Sequence, residues 1–186
     1  MPTILMIVAA VALIALAAAL GYASWNRART QRLRRRFGPE YDRAVERHGG
    51  RAAAERELMS RRRRHRELEL RELDPAQRER YREQWLTVQE RFVDQPGAAV
   101  EQADRLVLVV MGERGYPTRD FDDRIEHLSV EHAGALDHYR RGHDISVRAG
   151  RREATTEELR QAMVHYRALF DDLLGALPGD RAAQSS

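Results

Sequence analysis

Polar and apolar positions alternate along this chain in helical, not strand, steps. Residues Thr3 to Tyr22 carry no charge at all. At a rise of about 1.5 Å per residue such a run makes a helix of roughly 30 Å, the thickness of a bilayer's hydrocarbon core. Beyond it, Tyr81, Trp85, Val88 and Phe92 recur at steps of four, three and four, behind a start at Asp74-Pro75. Asp suits the N-cap there and Pro the first helical position. Val100, Ala103, Val107 and Val110 step by three, four and three after Pro96. The run from Leu106 to Met111 has the composition of a buried strand, but the period begins upstream of it and predicts a helix. Val130, Ala133, Leu136 and Tyr139 form a third stripe, with Ser129 as its expected cap. Leu159, Met163, Tyr166, Phe170 and Leu173 form the cleanest one, behind a capping box of Thr155 and Glu158.

The predicted fold is therefore all-α. It has an N-terminal transmembrane helix (residues 1–25), a basic helical connector (26–74), a C-terminal helical bundle (75–176) and a disordered tail (177–186). Helices are expected near 75–94, 95–114, 129–147 and 156–174. Each stripe is too narrow to be buried on all sides, so packing stripe against stripe is the stable solution. Fully burying Trp85, Phe92, Leu159, Tyr166 or Phe170 contributes about 1.5–3 kcal/mol each before entropy is counted. The heptad-like steps also fit a coiled coil between two copies.

The connector reads as two shorter helices. Gly38-Pro39 breaks the chain, and a helix from Glu40 ends at Gly49-Gly50. A charged helix follows over Arg51–Leu73, with only Leu58, Leu68 and Leu70 as large apolar members. It reads as a solvated or membrane-surface helix.

Charge gives the anchor a direction. Only Met1-Pro2 precedes the apolar run, whereas Arg27, Arg29, Arg32, Arg34, Arg35 and Arg36 follow it. The positive-inside rule then places the C-terminal side in the cytoplasm. Those six Arg are expected to contact anionic lipid head groups, and Tyr22 and Trp25 to sit at the membrane interface. A cleaved signal peptide is the competing reading, making the protein an exported one. It lacks the basic n-region and short apolar core that such peptides carry.

The chain has 186 residues, no Lys, no Cys and a net charge of +3. Residues 26–75 hold 16 Arg against 9 acids, while the remainder holds 16 Arg against 20 acids. The basic part lies beside the predicted anchor and the acidic part beyond it. Without Cys there are no disulfides and no thiol metal sites.

Candidate chemistry is sparse. The histidines pair in sequence as His127/His132 and His138/His143, each five apart, a spacing that diverges round a helix. No metal, cofactor or catalytic residue is assigned, and no H-E-x-x-H, G-x-S-x-G or phosphate-binding Gly loop appears. The residues Asp120/Asp122/Asp123 and Asp171/Asp172 read as solvated acids. In Gly115-Tyr116-Pro117, Gly reads as the left-handed C′ residue and Tyr116 as the C″ residue packing back on the helix. The Arg61–Arg64 run within Arg51–Arg66 is the candidate for nucleic-acid binding. Glu67, Glu69 and Glu72 dilute it, and no aromatics are interleaved for base stacking.

Three motifs occur together: Arg36-Phe37-Gly38-Pro39-Glu40-Tyr41; Phe92-Val93-Asp94-Gln95-Pro96 continuing through Ala99-Val100 to Ala103-Asp104; and Arg114-Gly115-Tyr116-Pro117. With the ending Leu159–Phe170, they resemble an uncharacterised family of small bacterial proteins, frequent in actinobacteria, with an N-terminal hydrophobic segment. The resemblance implies the same anchored architecture and brings no catalytic residue with it. The expectation is a non-enzymatic, single-pass membrane protein whose helical domain acts as an interaction module or scaffold, through a protein partner or self-association.

Overall fold

A computed structural model describes the backbone of residues 2–175 and the side chains of residues 13–175. The expected tail at 177–186 lies outside them. All described secondary structure is helical: α1 (Pro2–Phe37), α2 (Pro39–Arg47), α3 (Arg51–Arg66), α4 (Pro75–Asp94), α5 (Pro96–Glu113), α6 (Phe121–Glu131), α7 (Ala133–Gly150) and α8 (Thr156–Leu174). The chain divides into two compact units, residues 1–58 and 59–186, with the boundary inside α3.

In the first unit, the apolar run and the Arg collar form one unbroken helix, α1. Its last turn carries Arg34, Arg35 and Arg36, which complement the negative end of the helix dipole. Among the described residues no helix is long and apolar enough to cross a membrane. Residues 3–12, the first half of the expected anchor, lie outside the described side chains. Gly38, with φ 51°, turns the chain into α2, and Pro39 occupies its first position. Leu33, Phe37, Tyr41, Ala44, Ala54 and Leu58 are buried. Among them sits the carboxylate of Glu55, only 4% exposed. Thr30 Oγ1 donates to its Oε1 at 2.6 Å, the Tyr41 hydroxyl donates to the same oxygen at 3.1 Å, and Arg29 Nε stands 3.5 Å from Oε2. One acid thus ties α1, α2 and α3 together. Burial, and then the Glu55 carboxylate, push the Tyr41 hydroxyl above its ordinary pKa.

In the second unit, α5 lies at the centre, packed against α4, α7 and α8, and α7 and α8 form the most extensive helix–helix contact. The core draws on the predicted stripes: Tyr81, Trp85 and Val88 of α4; Val100, Ala103, Val107 and Val110 of α5; Leu136 and Tyr139 of α7; Leu159, Met163, Tyr166, Phe170 and Leu173 of α8. The residues from Leu106 to Met111 are helical, as their upstream period requires. Both N-terminal caps close reciprocally. Asp74 Oδ1 accepts from the Gln77 N–H at 2.7 Å while Gln77 Oε1 accepts from the Asp74 N–H at 2.9 Å. Glu158 Oε2 accepts from the Thr155 N–H at 2.7 Å, and Thr155 Oγ1 accepts from the Glu158 N–H at 3.3 Å. Each cap is worth about 1 kcal/mol. Glu158 is held down to about 2 by the Thr155 N–H first, then by Arg148.

Two expected boundaries are corrected. The charged helix stops at Arg66 instead of Leu73, because the Glu67 and Leu68 N–H groups bond three residues back, to Arg64 and His65, and tighten the last turn. The strap from 67 to 74 is instead held by the Arg71 N–H on the Arg114 carbonyl at 3.0 Å, with Leu73 buried. Ser129 does not cap a helix. It lies inside α6, where its hydroxyl donates to the Glu126 carbonyl at 2.6 Å, and the break falls at His132 (φ −113°, ψ 36°). Ser competes for its own backbone equally well inside a helix, so its presence alone does not place a boundary.

Candidate functional site

The second unit holds a chain of polar side chains that no motif in the sequence marks. It begins at the end of α5. The Tyr116 N–H bonds the Met111 carbonyl at 2.9 Å and the Gly115 N–H bonds the Gly112 carbonyl at 3.0 Å, the paired closure of a Schellman turn. Gly115 has φ 87°, and a Cβ there would lie 2.5 Å from the Glu69 carbonyl oxygen, so only glycine fits. The turn follows the expected pattern, and it delivers the Tyr116 ring into the interior, 4% exposed.

The Tyr116 hydroxyl is the hub. It lies 2.9 Å from Glu131 Oε2 and 3.0 Å from His132 Nε2. His132 Nδ1 continues to Asp172 Oδ2 at 2.6 Å, and His65 Nε2 stands 3.2 Å from the other Glu131 oxygen. Tyr116 after α5, Glu131 of α6, His132 before α7 and Asp172 of α8 therefore form one relay, with His65 from α3 at ion-pair distance from its Glu131 end. Tyr116 and His132 are buried, while the two carboxylates are about two-fifths exposed. The Arg114 guanidinium lies 5.7 Å from the Tyr116 ring centre and donates to the Leu173 carbonyl at 2.9 Å.

Hydrogen-bond accounting limits its states. A phenol has one proton to donate. When Tyr116 donates to Glu131, it accepts from His132 Nε2–H, and His132 also donates to Asp172. When Tyr116 donates to His132 Nε2, the Glu131 carboxyl completes the pattern only by carrying the proton itself. For Glu131, burial opposes ionisation, but the hydroxyl of Tyr116 and the neighbouring His65 and His132 outweigh it and hold the carboxyl below its ordinary value. Burial, then Glu131, push the Tyr116 hydroxyl well above its usual range. His127, with its ring 5.8 Å from that of His65, is pushed down by burial and then by that neighbouring imidazole.

A second feature lies on the surface. Trp85, Gln89 and Phe92 of α4 face Met163, Val164 and Arg167 of α8 across an open groove of about 310 Å³, with Arg160 at its edge. Trp85 bridges its floor, stacked on Phe170 with ring centres 4.8 Å apart, and Arg167 lies over the Trp85 ring at 5.6 Å. Apolar surface continues round α4 through exposed Leu86 and Val93, the latter 83% exposed. Phe92, expected in the core, is only partly buried here.

The residues expected at a membrane surface and the Arg run occupy different settings. Tyr22 and Trp25 are exposed on α1, with ring centres 6.4 Å apart. Arg27, Arg32, Arg35 and Arg36 are exposed; Arg29 is drawn to Glu55, and Arg34 pairs with Asp42 at 3.0 Å and covers the Tyr41 ring. Of the Arg61–Arg64 run, Arg61 is buried and Arg64 pairs with Glu126 at 2.6 Å, so these residues do not form one open face. Asp172 and Asp171, read as solvated, are part-exposed and also hold His132 and Arg167. The sequence pairs of histidines are not the spatial ones: His65 meets His127, and His138 meets His165. Among the described residues, no three His, Cys, Asp or Glu side chains gather to hold a metal. The relay escaped sequence reading because its members are spread over residues 65–172, and a C″ tyrosine looks the same whether or not its hydroxyl is used.

No protein-family model, curated protein or solved structure matches the chain.

Proposed function

We propose that this protein is a single-pass, membrane-anchored interaction module that pairs with a second copy of itself through the groove between α4 and α8. The observation that carries it is the groove itself: apolar walls that continue onto exposed Leu86 and Val93, bordered by Arg160 and Arg167. The occupant follows from charge and spacing. On α4, Glu83 and Glu90 flank the Leu86/Val93 stripe and are seven residues apart, as are Arg160 and Arg167 on α8. Seven residues rise roughly 10.5 Å on either helix. The α4 stripe of one copy therefore brings two acids to the two basic positions of the other's groove, and the reciprocal contact forms by two-fold symmetry. Arg160 also binds Glu157, and Arg167 binds Asp171, so both guanidiniums are already oriented.

The anchor rests on the uncharged run to Tyr22. Leu13, Ile14, Leu16 and Leu20 are all more than half exposed on α1, a surface that lipid would cover. The Arg that follow support a cytoplasmic α4–α8 domain by the positive-inside rule, with anionic head groups as the second partner.

Crosslinking the full chain in membranes tests the pairing. R160E/R167E and E83R/E90R are each expected to abolish the crosslinked dimer, and the four changes together to restore it. A monomer at all loadings, a dimer indifferent to the swaps, or capture of a different protein at the groove would each overturn it. Reporter fusions after residue 175 test the topology.

A further inference from the structure

We infer that His138 and His165 form a surface site for a divalent transition-metal ion, Cu(II) foremost, clamping α7 to α8. His138 Nδ1 and His165 Nδ1 stand 3.0 Å apart, with ring centres 5.2 Å apart. Two metal–nitrogen bonds of about 2.0–2.1 Å meeting at a right angle span roughly 2.9 Å, and at the tetrahedral angle about 3.3 Å. The observed gap lies between these, so an ion that displaces the proton now shared by the two Nδ1 atoms needs the rings to turn their lone pairs toward it but little change in their separation.

The pair is held in place by the backbone. Gly142, one turn after His138, lets α7 approach α8 so closely that a Cβ there would be 3.4 Å from both His165 Cβ and the Tyr166 ring. His138 is exposed and His165 half-buried, leaving the remaining coordination positions open to water. Burial, then the neighbouring His138, hold the His165 imidazole below its ordinary pKa, which keeps its lone pair available at neutral pH. Two imidazoles with open water positions suit Cu(II) and Ni(II) geometry and reject Ca(II) and Mg(II), which take oxygen donors. The Irving–Williams order then ranks Cu(II) above Ni(II) and Zn(II). Arg141 lies close enough to influence His165 and opposes the added charge, so the most strongly bound ion is the one expected to succeed.

The test is titration of the full chain, in detergent, with Cu(II) in a weakly coordinating buffer, alongside H138Q, H165Q and, as a control on an exposed histidine elsewhere, H48Q. One ion per chain is expected, weakened at least tenfold by either H138Q or H165Q, no further by both together, and unchanged by H48Q. Electron paramagnetic resonance of the loaded wild-type chain reads the donors without any variant, and two equatorial nitrogens are expected. Binding that survives H138Q or H165Q, that falls with H48Q, or that shows fewer than two nitrogens overturns the site.

Discussion

His132 Nδ1 lies 2.6 Å from Asp172 Oδ2, so the residue that breaks the chain between α6 and α7 is fastened to the last turn of α8. On its other side the same ring meets the Tyr116 hydroxyl at 3.0 Å, which carries the connection to the end of α5. One imidazole thus links three helix ends that are far apart in sequence. The relay fixes how these ends register, since the buried Tyr116 hydroxyl and His132 ring find their partners only when the other helix ends are in place.

Replacing Tyr116 with Phe removes the hub and leaves His132 Nε2 and Glu131 without their shared partner. The expected loss is about 1–3 kcal/mol of stability. A double-mutant cycle of Y116F with E131Q, measured by denaturant unfolding, is expected to be strongly non-additive. Additive losses would mean that the hydroxyl contacts do no joint work.

Acid is expected to destabilise the second unit in two stages. His127 is held below its ordinary value of 6.5, by burial first. Its folded form therefore binds a proton more weakly than the unfolded chain does, and stability present above 6.5 is lost as pH falls through the folded value. Glu131 is held below 4.5, and its contribution is lost in the same direction as pH falls further. Unfolding followed against pH should show H127Q reducing proton uptake in the first stage by up to about one proton. A slope that H127Q leaves unchanged would assign the effect elsewhere.

Gly115→Ala is expected to be among the most damaging single-atom additions. It places a Cβ 2.5 Å from the Glu69 carbonyl at a φ of 87°. The conformational part alone costs about 1–2 kcal/mol, and the backbone clash adds to it. Gly134→Ala, where nothing lies within 4 Å, is the matched control. Thermal denaturation of the two variants separates them.

In the first unit, Glu55→Ala strips the acceptor from Thr30, Tyr41 and Arg29 at once. A loss of about 3 kcal/mol is expected for an interaction of this kind. Glu55→Gln keeps one acceptor oxygen and is expected to lose less. Amide hydrogen exchange across residues 30–58 reads this unit separately, and faster exchange should be confined to it.

The four bundle helices were legible because their signals are local. The step pattern of Tyr81, Trp85 and Val88, or of Leu159, Met163, Tyr166 and Phe170, survives in sequence since 3.6 residues per turn fixes which side chains share a face. The Asp74 N-cap and the Thr155/Glu158 capping box were equally local, whereas the reciprocal bond of Gln77 to Asp74 was not read from the sequence. The buried stripe of α3 was not legible, because Ala54, Leu58, Arg61 and His65 sit at helical steps but mix apolar with charged residues. Hydropathy counts Arg61 and His65 as surface, while the fold gives His65 a partner in Glu131 and buries Arg61. The end of that helix was missed for a related reason: Leu68 and Leu70 continue an apolar pattern, yet they serve a strap that packs on the bundle.

By itself, then, the amino-acid order determined an all-helical chain, the caps that start α4 and α8, the glycine turn after α5 and the uncharged run followed by six Arg. These depend on residues within a few positions of one another, where backbone geometry and charge act directly. Only the tertiary structure decided that Tyr116, Glu131, His132 and Asp172 form one relay, with His65 beside its Glu131 end, and that His138 faces His165 and not His143. Only it decided that Trp85 and Phe92 line a groove between α4 and α8. Those outcomes depend on which helices pack together. A side chain's partner across a helix interface is set by packing over long sequence separations, and no local period encodes it.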